Sequence, residues 1–357
     1  MHEDRNHRGH GRYTLTETEH GHVWGVCAVA DGLFGEPRRG TYELYGWVPE
    51  GAEVRGWTGS RVRLVPEDGT LDPWLLEDAE SLGQHSGTDG LVLTGLDDYE
   101  GPPDSHRGSV RLHDGRRWLG SCREFARVLP PERVEPPLVL RGLAQGDELR
   151  RRLMTGTRRA LDLEEAALEI RDDRGEPLAE RLLWATVSAW RPSARGADLI
   201  DLELSGRFFA PVPEHARPVW DRWLAGPPET PGAWAGLDTR QRGAWLDLVR
   251  ERACGGVHRD RPAGHAYELD GRQITDVPGL YLALGEAANG PGGYFGGCLD
   301  ALADCLRGTS AATLLWRDAA IARSHLSRVL TPDGQPYDLF ADVLDVLAEG
   351  GIRATLT

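Results

Sequence analysis

The chain has 357 residues, enough for two or three domains, and its 40% hydrophobic and 27% charged content is that of a soluble globular protein rather than a disordered one. A formal charge of −15 argues against general nucleic-acid binding, which draws on basic surface, and favours steered encounters with a basic partner. No apolar run approaches the roughly 20 residues of a membrane span, and the polar N-terminus lacks the apolar core of a secretory signal, so the expected location is cytoplasmic.

The five cysteines, Cys27, Cys122, Cys254, Cys298 and Cys305, are scattered and include no Cys-x-x-Cys, which predicts free thiols rather than disulfides or a structural zinc. Residues 1–11 are rich in His and Arg. His2, His7, His10, His20 and His22 can take up adventitious metal, but no second cluster completes a defined site, so no metal and no cofactor is expected.

From Tyr13 to about Ala210 the chain runs through one plan twice. Val-Trp-Gly-Val-Cys at 23–27 is similar to Arg-Trp-Leu-Gly-Ser-Cys at 117–122, and 42–55 is similar to 138–150. Further on, 62–69 is similar to 168–175, and 90–95 to 200–206, in the same order. Four ordered matches predict a tandem duplication. The segments are short, alternate apolar with polar, and end at Gly, Pro or Asp-Gly turns, which is the pattern of strands and hairpins. The expected modules are β-rich, at 12–107 and 108–210, the second with helical stretches at 147–154 and 176–190. Trp24 and Trp118, at matching places, are expected to pack in a core or an interface rather than stack on a ligand.

Residues 211–265 form a Pro/Trp-rich connector with two short helices, one over 218–224 and one capped by Asp238. Gly255 to Gly264 reads as a hinge at a domain boundary. Beyond it strand and helix alternate. A strand at 266–270 leads to a helix capped by Asp276 with Pro278 in its first turn. A glycine-rich loop from Pro291 then enters a short helix, on which Asp300 and Asp304 lie one turn apart. A strand at 313–316, an amphipathic helix at 337–349 stopped by Gly350-Gly351, and a closing strand predict a three-stranded parallel sheet over 266–357.

Asp270-Gly271, the run Tyr294-Phe-Gly-Gly-Cys-Leu-Asp-Ala-Leu-Ala-Asp-Cys-Leu-Arg-Gly308, Trp316-Arg317 and Ala348-Glu-Gly350 occur in the order and spacing of one family. Residues 266–357 resemble barstar, the cytoplasmic inhibitor of the secreted ribonuclease barnase. The resemblance implies an α/β barstar-like domain whose loop and second helix plug a nuclease active site. It assigns partner contacts to Tyr294, Asp300, Asp304 and Gly308, with Asp345 where the family has a glutamate. Ala303 stands where the family often has a tryptophan, Thr309 replaces another common aromatic, and Arg307 shares the face of the two aspartates. These departures keep the charges, lose the aromatic grip, and fit a nuclease other than barnase or no nuclease at all.

The expected function is therefore inhibition of a basic ribonuclease or nuclease toxin, as an immunity protein, without direct contact to nucleic acid or membrane. The alternative is a multidomain interaction scaffold with a repurposed barstar-like domain. No convergent acid, base and nucleophile marks an enzyme.

Overall fold

The computed structural model describes residues 11–51, 54–69, 71–84, 87, 89–97, 100–128, 137–156, 161–254, 266–307 and 311–357. In chain order, β1 (Tyr13–Glu17), β2 (Val23–Cys27), β3 (Val29–Asp31), β4 (Gly40–Tyr45) and β5 (Val48–Pro49) come first. They are followed by β6 (Gly56–Pro66), β7 (Trp74–Gln84), β8 (Leu91–Leu96), β9 (Ser105–His113) and β10 (Trp118–Arg127). Next are β11 (Leu138–Gln145), α1 (Asp147–Thr155), β12 (Leu161–Arg171), β13 (Pro177–Pro192), β14 (Leu199–Phe208), α2 (Arg217–Leu224) and α3 (Thr239–Cys254). The last stretch holds β15 (Ala266–Asp270), α4 (Val277–Asn289), α5 (Leu299–Leu306), β16 (Ala312–Arg317) and α6 (Ala319–Leu326). It ends with β17 (Val329–Leu330), β18 (Pro336–Tyr337), α7 (Leu339–Glu349) and β19 (Ile352–Leu356).

Two compact units result: Met1–Pro37 with Val134–Pro228, and Arg38–Arg133 with Glu229–Thr357. The first unit holds an antiparallel sheet in the order β14-β13-β12-β1-β2-β11-β3, in which β14 also pairs with β11 and closes a barrel. Its core includes Leu15, Trp24, Leu140, Leu168, Ile170 and Leu202. The second unit holds a sheet in the order β4-β8-β7-β6-β9-β10-β5, closed in turn by β4 and β10. Tyr42, Leu44, Val62, Leu64, Leu112 and Phe125 fill it.

The two rings have the same pairing order when β11, β12, β13, β14, β1 and β2 are set against β4, β6, β7, β8, β9 and β10. These equivalences coincide with the four repeated sequence segments. The strand pairing nevertheless crosses the expected boundary at 107/108. The ring that β11–β14 begin is completed by β1 and β2, which hold the places that β9 and β10 hold in the other ring. A closed barrel leaves no edge in want of a partner.

One expected element changes type. The stretch 176–190, expected to be helical, is instead extended, as β13 over Pro177–Pro192. Leu183, Ala185 and Val187 are buried while Leu182 and Trp184 are exposed, so a period of two governs the segment and propensity is overridden. The helix expected at 147–154 is present as α1. Trp24 is fully buried under Arg152, whose guanidinium lies 4.7 Å from the ring centroid. Trp118 instead lies against Gly334, where any Cβ would come within 2.1 Å of its indole. Cys27 and Cys122, also equivalent, are buried free thiols whose pKa values burial pushes up to about 12.

In the second unit the C-terminal region forms a parallel sheet in the order β15-β16-β19, with both ladders in register. Asp276 caps α4 by accepting the Gly279 N–H at 2.8 Å, and Asp338 caps α7 by accepting the Ala341 N–H at 3.1 Å. The connector divides, α2 going with the first unit and α3 with the second. The expected hinge at 255–264 lies outside the described residues; α3 before it and β15 after it belong to one unit. No described helix is long and apolar enough to cross a membrane.

Helix α3 joins the barrel of this unit to its C-terminal region. Asp78, at φ +46° beside a register shift in β7, accepts bonds from Arg240 Nε and Nη2, both at 2.6 Å, from Arg39 Nη1 at 2.9 Å and from Trp57 Nε1 at 3.0 Å. Burial pushes the Asp78 pKa up, but the bonds and charges of Arg240 and Arg39 outweigh it and hold the carboxyl below its ordinary 3.8. A folded-state pKa below the unfolded one gives stability that is complete above the unfolded value and is lost as pH falls through the folded value. Asp78→Asn, which tolerates the left-handed backbone, is therefore expected to lower the denaturation midpoint at neutral pH and to flatten its fall below about pH 4. Denaturant titrations from pH 6 to pH 3 check this; parallel profiles for the two proteins count against it.

Candidate functional site: an acidic helix and its glycine loop

The sequence-predicted contact residues fall on three elements of the C-terminal region. Helix α5 buries Leu302 and Leu306, the latter against Gly350 at the end of α7. This anchoring fixes which side of the short helix faces out. Asp300 and Asp304 are exposed and Ala303 is half-buried. The helix starts at Cys298, whose Sγ accepts the Ala301 N–H at 3.4 Å, and Asp300 in the first turn complements the helix dipole. Asp304 does not stand alone: its Oδ1 is 3.0 Å from Arg307 Nη2, with both side chains largely exposed. An exposed pair of this kind contributes at most about 1 kcal/mol and is easily exchanged for a better partner.

The loop before α5 is held from behind. Asn289 Nδ2 donates to the Tyr294 carbonyl at 2.5 Å. The Gly293 carbonyl lies so close to α4 that a Cβ at Gly285 would come within 2.2 Å of it, which requires glycine there. Glu286 on α4 accepts the Gly232 N–H at 2.7 Å. Burial raises its pKa, with the backbone N–H groups of Gly232 and Gly292 acting the other way. One carboxylate thus ties the connector, α4 and the loop together. Sequence reasoning missed Glu286; the available signal was a lone acid in the otherwise apolar run Leu280–Ala288.

Tyr294 is half-buried. Its hydroxyl and Leu246 of α3 are both within ordinary contact of the position a Gly297 side chain would take. Tyr281 of α4 is buried, and burial is the largest cause of its raised phenol pKa, ahead of the charges of Cys298, Tyr337, Asp300 and Tyr294. Asp345 is exposed on α7, the helix packed against α5. Gly308 and Thr309 lie outside the described residues.

Among the described residues no nucleophile–base hydrogen bond is present at this site. The site presents carboxylates on a helix fixed to a small α/β core. Residues 264–353 match the model of the family described as Barstar (barnase inhibitor), so the C-terminal region, about a quarter of the chain, carries a Barstar-family domain. That family consists of inhibitors, not catalysts, and the match points to barnase-inhibitor-like protein binding by this region. No curated protein and no solved structure matches the chain.

Proposed function

We propose that the C-terminal domain blocks the active site of a basic ribonuclease or nuclease toxin, inserting α5 and the 290–298 loop, and that the chain acts as an immunity protein in the cytoplasm. The observation that carries this reading is the exposure of Asp300 and Asp304 on a helix whose opposite side is buried. An RNA-cleaving site is basic because it binds phosphates, and fixed carboxylates can occupy the same positions. The domain itself is acidic: residues 266–357 contain 12 Asp and Glu against 6 Arg, a net 12 − 6 of acid excess, which steers a cationic enzyme towards it.

A second reading, an interaction scaffold, draws on two observations. Asp304 is already paired with Arg307, and the first unit exposes Trp184 beside Phe209, with ring centroids 6.0 Å apart. The two readings separate in one experiment with the small basic nuclease encoded nearest to this chain. RNA cleavage is expected to stop on adding the full chain, to resume with Asp304→Ala, and to stay blocked with Trp184→Ala. A complex that forms without inhibition, and that Trp184→Ala alone disrupts, favours the scaffold.

A further inference from the structure

A cluster outside the acidic helix has the composition of a metal site. The turn joining β1 to β2 is closed by the Glu17 N–H donating to the His22 carbonyl at 2.9 Å and by the Gly21 N–H donating to the Glu17 carbonyl at 3.2 Å. This backbone pairing sets the side chains of Glu17 and His22 next to each other, and the turn brings His20 over them. The two imidazoles stack with centroids 5.7 Å apart and an interplanar angle of 24°. Both aim Nδ1 at one oxygen: His22 Nδ1 lies 2.7 Å from Glu17 Oε2 and His20 Nδ1 lies 3.4 Å from it. The three ligand atoms are all within 4.8 Å of one another.

We propose that Glu17, His20 and His22 form a binding site for a borderline divalent transition metal, of which zinc is the type. Tetrahedral ligands at about 2.0–2.2 Å from a metal stand about 3.3–3.5 Å apart, so the present separations bracket what is needed and small side-chain rotations complete it. Two imidazole nitrogens and one carboxylate oxygen select zinc, cobalt, nickel or copper over magnesium and calcium. A cation also balances the Glu17 carboxylate that both imidazoles face. Three protein ligands leave a fourth position for water.

The site is pre-positioned from outside the turn. Thr18 Oγ1 donates to the Glu165 carbonyl of β12 at 3.1 Å, pinning the turn to the barrel wall. Arg152, whose charge reaches Glu17, is itself paired with Glu148 Oε1 at 2.7 Å. The sequence grouped His20 and His22 with the N-terminal histidines; among the described residues the structure sets them beside Glu17, a carboxylate three residues before His20.

The test is cobalt and zinc titration of the full chain at pH 7.5, in wild type, in His20→Ala, in Glu17→Gln, and in a variant with His2, His7 and His10 all changed to Ala. Expected are one equivalent of Co2+ with visible ligand-field bands, its displacement by Zn2+, and unchanged binding in the triple variant. Affinity should fall by at least about tenfold in His20→Ala and Glu17→Gln, with far-UV circular dichroism unchanged because the His20 side chain is exposed and glutamine keeps the shape of Glu17 at the end of β1. Binding that survives His20→Ala but disappears in the triple variant, or the absence of ligand-field bands in the wild type, overturns the assignment.

Discussion

Asp276→Ala is expected to destabilise the second unit by about 3–5 kcal/mol, the range found when one member of a buried ion pair is removed. Asp276 and Arg242 have side-chain exposures of only 6% and 9%, and Arg242 Nη1 lies 3.1 Å from Asp276 Oδ2. The same oxygen accepts the Thr239 hydroxyl at 2.7 Å, while Oδ1 caps α4. Without the aspartate, Arg242 keeps bonds to Thr275 Oγ1 and the Ala235 carbonyl but loses its counter-charge. The cap, worth about 1 kcal/mol by itself, is part of the same loss and not additional to it. Asp276→Asn, which keeps the capping oxygen, is expected to cost distinctly less. Denaturant midpoints with amide exchange across α3 and α4 make the comparison. A loss under about 1 kcal/mol for the alanine variant contradicts this account of α3 as a strut of the C-terminal domain.

Asp304→Ala is the second large effect, on binding rather than stability. Side chains at 304 are exposed in the free chain, so the fold is expected to be unchanged. In the complex the carboxylate would be desolvated among cations, and truncating one partner of such a pair costs about 2–5 kcal/mol, roughly thirty- to several-thousand-fold in Kd. The barnase complex of this same family is among the systems from which that range comes. Arg307→Ala should act in the opposite direction, since it releases Asp304 from its intramolecular partner, and strengthen binding by up to about 1 kcal/mol. Calorimetric titration of the nuclease with the three proteins measures both. Equal affinities across all three would remove the role assigned to this face.

What the sequence revealed depended on how local its cause was. Asp276 followed by Pro278, and Gly350-Gly351 after an amphipathic run, are start and stop signals written within one turn of their helices, and α4 and α7 lie where those signals put them. The parallel sheet followed from alternating strands and helices. The repeat was visible as well, and each of its four matched pairs joins equivalent strands. Barrel membership was not, because β1 finds β12 more than 140 residues away, and closure rather than sequence proximity decides the pairing. Residues 177–192 show a conflict between composition and alternation that burial resolves in favour of a strand. The partners of the Arg242–Asp276 pair, the Asp78 cluster and Glu286 could not be read from local pattern, since each lies on a different element. Within the candidate site, residue types and spacing were legible; the Asp304–Arg307 pair and the bond from Asn289 to the Tyr294 carbonyl belong to the folded chain.

The central claim is that α5 and its preceding loop form the surface that meets the nuclease. Hydrogen–deuterium exchange of the full chain, alone and with the nuclease, tests it most directly. The account predicts new protection across 290–307 and around Asp345, with β1–β14 unchanged. Protection confined to the barrels, with 290–307 exchanging as in the free chain, would contradict it.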